Sequence, residues 1–313
     1  MKEQTKILIA ATKDQAEYDN ACKNLFKNKE ILAPVLKYAI GEYKDFTVEE
    51  IIGFIDGVSI SIDTPVDDVS VMVDSSDTEM ASLSDKLIRY DVRLRSLNPL
   101  LSKGEVLVHI HIDFEVQNNY RPSDPPYPMI KRGIYYGARE ISSQLGILTD
   151  ETDYGKIEKV YSIWVCNQNI PTGLINTMDR YYIHKEHIIG QSVEPESDYD
   201  LMEVIMIRRG SNTGADAIFD YLSGVFNSDI RKISDYTDTK DNEEIAKEVT
   251  HMGGLGASIA QEAALQASIR QLIEAYRDFD ASDEQIIKKL MSKFGISEDI
   301  AKDYIKKFEL QPV

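Results

Sequence analysis

The chain has 313 residues, 42% of them hydrophobic and 28% charged, with a net charge of −18 and two cysteines, Cys22 and Cys166. This is the composition of a folded protein of one large or two ordinary domains. It excludes a disulfide framework and a cysteine zinc site, and no uninterrupted apolar run is long enough for a spanning helix. The run Ile7–Ala11 is too short for a signal segment, so a cytoplasmic protein without membrane contact is expected.

In chain order, residues 18–44 carry apolar residues at helical spacing, with Pro34 as a kink or a boundary between two short helices. Thr47 and Glu50 form a capping signature for a further short helix. Residues 56–79 hold seven acids and no Lys or Arg, and 56–80 read as a solvated acidic loop insertion. The pattern then changes to period two. Arg89–Arg95 alternates, and so does Val106–Gln117, where His109, His111, Asp113, Glu115 and Gln117 share one face. Turn residues from Asn98 to Gly104 make these two runs a hairpin.

A helix is expected over 129–145, with Ile130, Ile134, Ala138, Ile141 and Leu145 as its buried stripe and Arg132, Tyr136 and Arg139 on another face. Residues 158–166 read as a buried strand, followed by strand-like runs at 181–189 and 203–207. The expected fold class is therefore α/β, a mixed central sheet flanked by helices, with a helical C-terminal extension. The domain reading is 1–230 for the sheet domain, 231–256 for an acidic linker with Gly253–Gly256 as a hinge, and 257–313 for a helical region. That region offers a self-association surface for a homo-oligomer. In it, Ser282 with Gln285 opens one helix, Gly295 ends it, and Ser297 caps another.

The chemistry-bearing constellation is Asp91 with the triplet Glu115-Val116-Gln117. Glu115 and Gln117 are two apart and leave one face of a strand, and neighbouring strands lie about 4.8 Å apart. Two such carboxylates can share a divalent ion. Spacing alone equally allows solvent-facing residues of a half-exposed hairpin. His109 and His111 share the polar face, but His111 lies roughly 13 Å from Glu115 along the strand, too far to share an ion. The overall charge opposes nucleic-acid binding. Residues 81–145, however, hold nine Lys/Arg against seven Asp/Glu, which removes most of that objection.

The stretches Arg89–Arg93, Phe114–Gln117, Lys131–Ser142 and Lys159–Cys166, in this order and spacing, resemble the PD-(D/E)xK nuclease family transposases, relatives of the recombination-promoting nucleases. The resemblance implies a restriction-endonuclease-like core and magnesium-dependent cleavage of DNA, with manganese as a substitute, in mobile elements or recombination. It matches Asp91 and Glu115 to the metal-holding acids and puts Gln117 where the motif commonly has lysine. A neutral amide cannot offset developing charge as a lysine does. Arg132 is the candidate for the missing cation, with Tyr136 one turn further along the same helix. Family nucleases often take one more acid from the first helical region; Glu42 is the first choice here and Glu30 the second. The alternative is a catalytically inactive copy of the fold that binds DNA or a protein partner.

Overall fold

The computed structural model describes residues 17–18, 20–57, 59–65, 89–103, 109–120, 127–145, 153–210, 216–237 and 243–309. They belong to two compact units: Cys22–Glu248, and the remainder of the chain before and after it.

The larger unit is built on a six-stranded sheet. Its strands are β1 (Ser61–Pro65), β2 (Arg89–Leu97), β3 (His109–Asn119), β4 (Lys159–Gln168), β5 (Thr177–Tyr182) and β6 (Met202–Arg208), in the order β1-β2-β3-β4-β6-β5. β1, β2 and β3 pair antiparallel, β3–β4 and β4–β6 pair parallel, and β5 returns antiparallel along β6. The expected mixed α/β class holds. β4 and β6 lie inside the sheet and are apolar on both faces, with Val160–Cys166 and Val204–Ile207 buried.

The helices of this unit are α1 (Lys29–Ala39), α2 (Val48–Phe54), α3 (Met129–Leu145), α4 (Ala217–Phe226) and α5 (Ile230–Ser234). Residues 20–27 are helical as well. The break falls at Asn28, whose side chain caps α1 by accepting from the Glu30 N–H; Pro34 sits inside α1 instead of dividing it. Thr47 and Glu50 form the expected reciprocal capping box on α2.

The two faces of the sheet differ in chemistry. Ile110, Ile112 and Phe114 of β3 point into an apolar core, where Phe26 lies 4.8 Å from Phe114 and 6.0 Å from Phe226, ring to ring. His109, His111, Glu115 and Gln117 point to the other face, against which α3 packs. The expected apolar stripe of α3 is not the buried one. Ile134 and Ala138 are exposed, while Gly133, Tyr136, Gly137 and Glu140 face the sheet. The physical reason is the polar lining opposite, which demands hydrogen-bonding partners and close approach. A Cβ on Gly133 would stand 2.7 Å from Val204 Cγ1, and one on Gly137 would stand 2.9 Å from Met202 Sδ. The two glycines let the α3 backbone settle on β4 and β6.

Three further expectations change. Ser61–Pro65, read as loop, is the edge strand β1, held by pairing to β2; the remainder of the acidic stretch, 66–80, lies outside the described residues. The run at 181–189 is strand only to Tyr182. The glycines at 253–256 lie inside one continuous helix, α6 (Glu243–Arg277), since the residues around them are strong helix formers.

In the smaller unit, the end of α6 packs with α7 (Asp283–Phe294) and α8 (Glu298–Glu309). Ile269, Ile273, Ile286, Leu290, Ile296, Ala301 and Ile305 form the core of this three-helix module. Ser282 and Gln285 make the expected capping box, Gly295 ends α7 at φ +66°, and Ser297 accepts from the Ile300 N–H.

Candidate functional site

The β2–β3 ladder runs from Leu97↔His109 to Val92↔Phe114. One residue further, side chains take over from the backbone. The Asp91 N–H donates to Glu115 Oε1 at 2.8 Å, and the Val116 N–H donates to Asp91 Oδ2 at 3.0 Å. Each acid therefore caps an amide of the opposite strand. Glu115 is 3% exposed. This is the juxtaposition expected from the period-two pattern.

Arg132 of α3 closes one side. Its guanidinium donates to Gln117 Oε1 at 3.2 Å and to the Tyr136 hydroxyl at 3.2 and 2.8 Å, and lies 5.1 and 5.2 Å from the Tyr136 and Trp164 ring centroids. Tyr136 and Trp164 are fully buried and meet edge to face. Burial opposes the charge on Arg132; Tyr136, Glu115 and Tyr127 more than offset it, so its pKa stands above the ordinary arginine value. Gln117, Arg132 and Tyr136 are thus linked to one another, and Arg132 acts on both acids through its charge.

Lys23 closes the other side. Its Nζ stands 3.1 Å from Asp91 Oδ1, with both side chains less than one-fifth exposed. No sequence signal marks this residue: it sits in an ordinary helical stretch 68 positions before Asp91. Burial raises the Asp91 pKa, and Lys23, the Val116 amide and Arg132 pull it back only in part.

Glu42 is not brought to this pair. Its carboxylate accepts from the Tyr161 hydroxyl and pairs with Lys159 Nζ at 3.4 Å. Tyr161 lies opposite Ile112 and so points to the sheet face away from Glu115. There Lys159 also meets Glu203 at 2.7 Å and Asp200, and Arg180 meets Glu203 at 3.1 Å. Burial alone would lower the Lys159 pKa; Glu42, Asp200 and Glu203 raise it. Glu30 stands in the first turn of α1, beside its cap Asn28.

Further along the polar face of β3, His111 lies between two carboxylates. Its Nδ1 is 3.1 Å from Glu140 Oε1 and its Nε2 is 2.9 Å from Glu158 Oε2. Arg93 donates to Glu140 at 2.7 Å, and Arg95 and the His109 N–H donate to Glu158 at 3.2 and 3.1 Å. Burial depresses the His111 pKa, but the hydrogen bonds it donates to Glu140 and Glu158 carry it above its ordinary value. Burial raises both glutamates; His111 and its neighbours pull Glu140 below its ordinary value and Glu158 down to about 2.

Among the described residues, no group of three or more His, Cys, Asp or Glu is arranged to hold a metal ion, and no helix is long and apolar enough to cross a membrane. No protein-family model, curated protein or solved structure matches the chain.

Proposed function

We propose that Asp91 and Glu115 form the metal-holding pair of a PD-(D/E)xK-type endonuclease acting on DNA. The observation that carries this reading is the reciprocal capping of Asp91 and Glu115 at the end of the β2–β3 ladder, with Lys23 and Arg132 acting on Asp91. The order of elements is compatible with it: helices, three antiparallel strands, the helix α3 and a parallel fourth strand. The donor set fits magnesium, with manganese as a substitute. Magnesium takes hard oxygen ligands and usually needs only one or two carboxylates, the remaining positions going to water and substrate phosphate. When bound, such an ion polarises a phosphodiester and lowers the pKa of an attacking water.

The reaction adds one water across the P–O bond. The water oxygen bonds phosphorus and the bond to one sugar oxygen breaks. One water proton ends on that oxygen, and the other leaves to solvent as the new phosphomonoester ionises. Asp91 and Glu115 orient the reacting centre from the strand ends. Arg132, held by Gln117, Tyr136 and Trp164, adds fixed positive charge beside it.

The test is nicking of supercoiled plasmid with Mg²⁺ or Mn²⁺ by wild type, Asp91→Ala and Glu115→Ala. Cleavage by wild type alone is the expected result. Equal cleavage by all three removes the site assignment, and DNA binding without cleavage by wild type turns the reading to a non-catalytic DNA-binding protein.

A further inference from the structure

We infer that residues 183–195 form an arm that docks on a second copy of this chain, its isoleucine tip entering the cleft beside Leu100 and Leu101, so that two copies exchange arms in a two-fold dimer.

The arm starts where β5 ends, at Tyr182 opposite Glu203. Lys185 braces it. Its Nζ donates to the Glu194 carboxylate at 2.8 Å and to the Ser192 carbonyl at 3.3 Å, and lies 5.4 Å from the Tyr199 ring centroid. Gly190 turns the tip at φ +69°. The side chains held out in this way are aliphatic: Ile188 is 89% exposed, Ile189 96% and Val193 98%. An apolar tip on a braced loop is the mark of a surface that meets another protein.

The same end of the sheet carries a cleft of about 390 Å³, with room for aliphatic side chains between Leu100, Leu101, Ile157 and Leu201. Glu196 and Asp198 stand exposed along it. Residues 196–201 follow directly on the arm, so one chain carries both the apolar tip and, at the root of the arm, an apolar cleft. The exposure of Ile188 and Ile189 shows that the arm does not fill its own cleft. β5 is the last strand of the sheet, with no strand beyond it among the described residues, which leaves that side open to a second copy. A two-fold axis there brings each tip to the other cleft, and every contact is made twice.

Charge favours this occupant. The chain carries −18, yet residues 183–193 hold one lysine against one glutamate, with two histidines. The tip therefore meets an acid-lined cleft without repulsion. The imidazole N–H groups of His184 and His187 are donors for Glu196 and Asp198 of the partner subunit.

The experiment is sedimentation equilibrium of the full chain at micromolar concentration. Wild type is expected to be a dimer. Ile189→Asp on the tip and Leu101→Asp in the cleft should each raise the dimer dissociation constant at least about a hundredfold, since each strikes two symmetric contacts. Both positions are exposed, so the circular dichroism spectrum should not change. The pairing is read from disulfide formation in the double variant Ile189→Cys, Leu101→Cys; Cys22 and Cys166 are fully buried and do not compete. An interchain bond between positions 189 and 101 is the expected product. A monomeric wild type overturns the inference. So does a dimer that survives either Asp substitution, as one held through the C-terminal helices would. An intrachain bond, or none, overturns it as well, because the arm then meets its own cleft or a different surface.

Discussion

The polar face of β3 carries two charged clusters only about 13 Å apart, and they are built in opposite ways. Around His111 every charge finds its complement: Arg93 and Glu140, Arg95 and Glu158, and an imidazole with both nitrogens engaged by carboxylates. The carboxylate pKa values there fall. At Asp91, burial outweighs Lys23, the Val116 amide and Arg132, and the carboxyl pKa rises. One end is a closed ionic joint between α3 and the sheet. The other holds a buried carboxyl whose charge is only partly offset. Burial of charge is thus common to both, and its compensation is what differs between them.

The largest effect that sharpens this contrast is catalytic. Asp91→Asn or Glu115→Gln should lower magnesium-dependent nicking by roughly a hundred- to thousandfold while the protein stays folded by circular dichroism. At the closed end the pattern should invert. Glu140 is fully buried, and Glu140→Leu takes a carboxylate partner from both Arg93 and His111. It should cost about 3 kcal/mol in urea denaturation and change the nicking rate by less than about threefold. A result in which Glu140→Leu kills cleavage at unchanged stability would merge the two clusters into one site.

A smaller effect tests the shared scaffold. Gly133→Ala puts a methyl 2.7 Å from Val204 Cγ1 and 3.1 Å from Trp164 Nε1. The gain in helix propensity offsets part of the strain, leaving a net loss of about 1–2 kcal/mol. Because Arg132 is the adjacent residue, nicking should fall as well, whereas Gly53→Ala in α2, which meets nothing within 4 Å, should leave nicking unchanged and raise stability slightly through the same helix propensity.

The smallest effect is pH dependence. Glu140 and Glu158 have folded pKa values below their ordinary 4.5, so their contribution is complete above 4.5 and is lost as the pH falls through the folded values, about 2 for Glu158. His111 has a folded pKa above 6.5, so its contribution is complete below 6.5 and is lost as the pH rises through the folded value. The joint is strongest between these limits. The melting-temperature advantage of wild type over His111→Gln should therefore shrink as the pH is raised from 6 to 9. A constant difference would mean that His111 is not charged in the folded protein.

Period-two alternation in β2 and β3 was enough to put Asp91, Glu115 and Gln117 on one face, because a strand's side-chain direction is a local property. Capping chemistry located α2, α7 and α8 for the same reason, since Thr47, Ser282 and Ser297 act within one turn. The facing of α3 was not legible. Its isoleucines form the better apolar stripe, yet the helix buries Gly133, Tyr136, Gly137 and Glu140 because the sheet opposite presents Glu115, Gln117 and His111. β1 escaped notice because an acidic five-residue edge strand owes its conformation to the partner it pairs with.

By itself, then, the sequence determined which residues share a strand face, where helices begin, and which acids can meet across a hairpin, all matters of short-range geometry. Only the tertiary structure decided that Lys23 stands at Asp91, that Glu42 belongs to Lys159 and Tyr161 on the far face, and that His111 is sealed between two glutamates. Those outcomes depend on which faces of distant elements come together, and long-range packing leaves no periodic trace in the chain.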